Sequence, residues 1–154
     1  TDTGAVRLLL WQSALHMIRD HPLLGIGPDQ FLYYYDPAYT SHPYLISHLN
    51  GHPTIAIYQP NLAHPHNLIL DLWLSAGLLG LIGYAVVVVA LIRRGWRLWR
   101  RAEAKLQPWR RIAAVGVLGA LLATLTHGMV DSAYFQPDLA LAFWWGVAAL
   151  AALN

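Results

Sequence analysis

A chain of 154 residues is about one domain long, yet 56% of it is hydrophobic and only 12% charged, about half the charge of an ordinary soluble domain. That balance excludes a conventional soluble surface and, with seven Trp and eight Tyr, intrinsic disorder; the absence of cysteine removes disulfides, thiolate nucleophiles and cysteine metal sites. The net charge of +2 hides a division, because eight of the ten basic residues lie between Arg93 and Arg111, opposed there only by Glu103, while the rest of the chain sets Arg7 and Arg19 against seven acids.

Residues 5–20 are predicted to form a helix, with Val6, Leu9, Leu10, Ser13 and Met17 at three-to-four spacing. Arg7, Gln12 and Arg19 make it too polar to cross a bilayer, so it is expected to lie on the membrane surface or against other helices. His21-Pro22 ends it, and Gly25 and Gly27-Pro28 build a turn. From Phe31 to Asn67, five prolines and six tyrosines leave neither a helical nor an alternating period. This reads as a long ordered loop, with short helices at most, and such loops are usually functional. It also carries His42, His48, His52, His64 and His66.

Leu68 to Ile92 is an apolar run with one charge, Asp71, and Ile112 to Val130 is another with none. Each approaches or exceeds the roughly 20 residues that span hydrocarbon. The predicted organisation is an outer segment 1–67, a transmembrane helix 68–92, a basic loop 93–111, a second span 112–133 and a truncated third at 139–154. Short Lys/Arg-rich loops stay in the cytoplasm, which places 93–111 inside and 1–67 outside. Trp96, Trp99 and Trp109 suit an interfacial belt beside those arginines. The basic charge therefore reports orientation and not nucleic-acid binding. With no initiator Met and a third run that stops at Asn154, the chain is expected to be a piece of a larger polytopic protein.

Chemistry concentrates at His64-Pro65-His66-Asn67, at the outer mouth of the first span. Asn67 is a natural N-cap. Gly77, Gly80 and Gly83 are expected to let another helix approach closely. Asp71, about one turn into the helix, is either a functional intramembrane carboxylate or a complement to the helix dipole. The histidines leave three readings open: a metal site built from His64 and His66 with His48 or His52, structural imidazoles, or a general base at the membrane surface. No helical HxxxH pair supports the metal reading. Arg7 and Arg19 are the only cations outside the basic segment, suited to phosphate recognition or to lipid headgroups.

Several pieces, in this order, resemble the C-terminal half of the O-antigen ligase and O-antigen polymerase superfamily of bacterial envelope glycosyltransferases. They are Arg7 with Trp11 and Ala14, then Pro22-Leu23-Leu24-Gly25-Ile26-Gly27-Pro28, then His66-Asn67 followed after nine residues by Gly77 and after two more by Gly80, and finally His127-Gly128-Met129-Val130-Asp131. The resemblance covers most of residues 7–150. It implies an all-α integral membrane protein, part of a GT-C-like multi-span bundle with an extracytoplasmic loop, in the bacterial cytoplasmic membrane with its site facing the periplasm. It implies transfer of a glycan from an undecaprenyl-diphosphate carrier to an acceptor hydroxyl on a glycan, lipid or protein, with inversion and with no cofactor or metal. Carried onto this chain, Arg7 would bind the diphosphate and His66 would activate the acceptor. His64, Asn67, Asp71, His127 and Asp131 would support them. Leu81-Ile82 departs from close ligase relatives, which weakens ligase against polymerase; protein O-oligosaccharyltransferase stays open too, because the three differ mainly in acceptor. The piece alone is expected to be inactive.

A reading from another class is a non-catalytic transport or ligand-binding subunit with a His-rich outer loop. It predicts more polar groups inside the spans than Asp71, Ser75, Tyr84, Thr124, Thr126 and His127.

Overall fold

The computed structural model describes residues 3–46, 48–49, 52–53, 62–101, 108–131 and 137–152. They divide into two compact units, one of Thr1–Ile82 with Met129–Ser132 and one of Gly83–Gly128 with Ala133–Asn154. The chain is mostly helical, with α1 (Thr3–Asp20), α2 (Phe31–Tyr35), α3 (Leu68–Arg101), α4 (Pro108–Gly128) and α5 (Pro137–Ala152). Two short antiparallel strands, β1 (His48–Leu49) and β2 (His52–Pro53), pair His48 with Pro53 and Leu49 with His52.

The segments Leu68–Arg100 and Pro108–Gly128 are each long and apolar enough to cross a membrane, and only 11% and 17% of their most apolar stretches are buried. A core helix of a soluble protein would hide that surface, whereas a lipid-facing helix leaves it outward.

Helix boundaries differ from the expected spans. α3 does not stop at Ile92 but continues to Arg101, and α4 begins at Pro108. Much of the segment expected as a loop, 93–111, is therefore helical. Arg and Leu are good helix formers, so charge ends the apolar stretch without ending the helix. Pro108 and Pro137 suit first helical positions, where a missing N–H costs nothing, and Gly128 is a common terminator. The end of the expected second span, 132–133, lies outside the described residues.

In the first unit α1 buries Val6, Leu9, Leu10, Ala14, Met17 and Ile18 against Phe31, Tyr35 and Leu74. The three-to-four spacing thus marks a packed face. Around it, Tyr34, Tyr44, Leu70 and Trp73 complete the core.

The most unusual backbone lies within α3. Gly77 has φ 68° and ψ −173°, which interrupts the helix. The turn after α1 fills the interruption. Leu78 N–H donates to Leu23 O at 3.1 Å instead of to Leu74, and Leu74 O accepts from Ile26 N–H at 2.7 Å and Gly27 N–H at 3.1 Å. Trp73 Nε1 donates to Pro22 O at 2.7 Å beside it. Backbone groups freed by the break are therefore satisfied, as buried amides and carbonyls must be. Both crossing points need glycine. Gly25 has φ 69°, where a Cβ would strike the backbone of Leu74, and a Cβ on Gly77 would strike the backbone of Leu23. The expected helix contact at Gly77 is thus replaced by a loop contact. Gly83 has nothing near its Cβ position.

In the second unit Leu91, Leu121 and Phe143 form the core, with Tyr84 stacked on Phe143 at 5.8 Å. The glycine that permits close helix approach is Gly95, where a Cβ would come within 2.8 Å of Leu118 on α4. Arg94 Nη2 donates to Ala151 O at 3.0 Å, meeting a carbonyl at the negative end of α5. Arg111 lies over the Trp99 ring at 5.7 Å, a cation–π contact.

Candidate active site

Asn67 is the hinge of the site. Its Oδ1 accepts from Ile69 N–H and Leu70 N–H, both at 3.1 Å, which caps the first turn of α3. Its Nδ2 donates to Met129 O at 2.9 Å. One buried side chain therefore starts α3 and tethers the segment that follows α4.

That tether brings Asp131 to His66. His66 Nδ1 lies 3.0 Å from Asp131 Oδ1, with both side chains more than a third exposed. A carboxylate acceptor selects the tautomer protonated at Nδ1, leaving the Nε2 lone pair available. His66 holds φ 52°, a left-handed conformation that histidine tolerates better than most residues. The preceding Pro65 is fully buried and fixes the chain between the two histidines.

His64 has a separate partner. Its Nδ1 lies 3.2 Å from Asp71 Oδ2, and the Asp71 side chain is only 4% exposed. The Asp71 hydrogen bond raises the His64 pKa, burial opposes the rise, and the charges of Asp71 and Asp29 add to it. Asp71 N–H meanwhile donates to Asn67 O at 2.9 Å in the first helical turn.

The structure thus assembles His66, Asn67 and Asp131 in one group and His64 with Asp71 in another. Arg7 is half-buried on α1 and makes no hydrogen bond or ion pair among the described residues. His127 is exposed in the last turn of α4 and belongs to the second unit. Among the described residues no three His, Asp or Glu side chains converge as a metal-binding group. The partnership of Leu23–Gly27 with Leu74–Leu78 escaped sequence reasoning, although both glycine motifs were visible in the sequence.

Two histidines, each with its own carboxylate, can accept and donate protons at this mouth of α3 without further groups. A family model described as O-antigen ligase matches residues 1–85, more than half of the chain. The match takes in α1, the glycine turn and the capped start of α3. No curated protein and no solved structure matches the chain.

Proposed function

Because the chain belongs to the O-antigen ligase family, we propose that it forms part of an enzyme that transfers a glycan from undecaprenyl diphosphate to an acceptor hydroxyl during cell-surface polysaccharide synthesis. The family acts on lipid-linked glycans at the bacterial inner membrane, and two apolar helices here fit that setting. The observation that carries the site assignment is the 3.0 Å pairing of His66 with Asp131 beside the Asn67 cap.

In the proposed reaction His66 Nε2 takes the acceptor hydroxyl proton as the oxygen attacks the anomeric carbon. The bond from that carbon to the diphosphate oxygen breaks, and its electron pair leaves with the diphosphate. Asp131 holds the imidazole and stabilises the imidazolium as it forms, in the manner of a base oriented by a third group. Arg7 meets the charge that develops on the leaving group, a role suited to a guanidinium. His64 and Asp71 support the neighbouring turn. Residues 1–67 face the exterior in this reading, which puts His66 where an exported lipid-linked substrate waits.

The test uses the full-length protein in cells that depend on it for surface glycan. His66→Asn should abolish the glycan at normal protein level, and Asp131→Asn should reduce it by about ten- to a hundredfold, the scale for losing an orienting partner. Normal glycan in the His66 variant would sink the assignment.

A further inference from the structure

Between Arg19 and Arg93 the chain holds no lysine or arginine, yet this stretch contains an open groove. The groove has about 640 Å³ of accessible space and is lined by Tyr34, Thr40, Ser41, His42, Pro43 and Tyr44. That volume lies within the roughly 300–1,000 Å³ of small-molecule sites. Two further rings, Tyr33 and Tyr39, flank it in sequence, each 50% exposed. They meet edge to face with centroids 5.2 Å apart.

The groove is held in shape by local bonds. Asp36 Oδ1 accepts from Ala38 N–H at 2.8 Å, Thr40 Oγ1 accepts from His42 N–H at 3.3 Å, and Tyr44 N–H donates to Tyr34 O at 2.9 Å. The Tyr44 hydroxyl donates to Asp20 Oδ2 at 2.8 Å, which ties the loop to the end of α1. Burial first, and Asp20 second, raise the Tyr44 pKa, so this hydroxyl stays protonated.

We propose that this groove and the Tyr33–Tyr39 pair bind an oligosaccharide. A sugar ring presents one face of polarised C–H bonds and an edge of hydroxyls. The first suits the electron-rich face of tyrosine and the second suits Ser, Thr, His and Tyr side chains. A diphosphate or an anionic headgroup would call for cations that this segment lacks. Preordered aromatic side chains add contact area at small entropic cost. The proposal deepens the glycan-transfer reading and rests on it. The same chemistry fits sugars of the donor glycan or of the acceptor.

The experiment measures initial rates of the full-length protein in membranes. Donors are the host's own lipid-diphosphate glycan and the same lipid diphosphate bearing a single sugar, with the acceptor titrated separately. Tyr33→Ala/Tyr39→Ala should raise KM for the long-glycan donor about tenfold, the scale of a lost stacking platform, with kcat and the single-sugar donor little changed. Ser41→Trp, which fills the groove, should do the same, and Tyr33→Phe/Tyr39→Phe should behave as wild type. A KM increase confined to the acceptor assigns the groove to acceptor sugars and supports the proposal equally. Unchanged KM values for both substrates in the Ser41→Trp and double-alanine proteins would overturn it. His66→Asn serves as the separate control: transfer at the wild-type rate there defeats the functional reading, whatever the tyrosine variants do.

Discussion

His66 carries an imidazole on a left-handed backbone, and the two demands can be separated by choice of substituent. Asparagine tolerates positive φ, whereas alanine pays about 1–2 kcal/mol there. His66→Asn should therefore keep the fold's stability to within about 0.5 kcal/mol while lowering kcat at least a hundredfold, the lower scale of a lost general base. His66→Ala should lose activity and melt earlier, so thermal melts beside rates distinguish chemistry from strain. His64 gives a pH signature. Its pKa is raised chiefly by the Asp71 hydrogen bond, so its stabilising contribution is complete below the unfolded value of about 6.5 and disappears as pH rises through the folded value. Melting temperature should fall as pH rises above about 6.5 in the wild type, and His64→Asn should flatten that part of the profile. At this scale the sequence showed His66, Asn67 and Asp71 well, because they sit in one short motif at a helix start. It hid the pairing of His66 with Asp131. Asp131 is 65 positions from His66, and no local period records such a pairing.

Elements show a similar contrast among glycines that share one spacing. Gly77 and Gly83 both lie in α3, yet only Gly77 departs from helical backbone and receives the turn Leu23–Gly27. Gly77→Ala should cost at least about 3 kcal/mol, since positive φ and a backbone collision combine. Gly83→Ala faces open space within a helix and should gain up to about 1 kcal/mol. Opposite shifts in melting temperature would separate a helix break from a general need for small residues. The rule that small residues serve helix packing holds at Gly95, a position the sequence reading did not single out. It misread Gly77 because spacing cannot tell a neighbouring helix from a neighbouring loop. Helix α1 was legible throughout, since its apolar face follows one period and is the face it buries.

Across the whole chain, composition revealed most. Two long apolar stretches and a cluster of arginines between them are global properties, and the mostly exposed apolar faces of α3 and α4 agree with them. What composition overstated was the division at Ile92, because a helix can outlast the hydrocarbon it crosses. At about 1.5 Å per residue, the 34 residues of α3 exceed the roughly 30 Å hydrocarbon core. The proposed orientation can be tested with single introduced cysteines, since residues 1–154 contribute none of their own. Ser41→Cys should react with a membrane-impermeant maleimide in intact spheroplasts, and Glu103→Cys should react only after the membrane is opened. The reverse pattern would place His66 on the cytoplasmic side.

The clasp between the glycine turn and α3 has a genetic consequence. On each side the atoms that a new Cβ would meet belong to main chain: Leu74 and Trp73 opposite Gly25, Leu23 and Leu24 opposite Gly77. A side chain can be exchanged for a smaller one, but a carbonyl cannot. No substitution in the partner segment can make room for a mutated glycine, so a screen for suppressors of Gly77→Ala should recover true revertants and none from residues 23–27. The two glycines would then leave no trace of compensating change between them, only their joint presence.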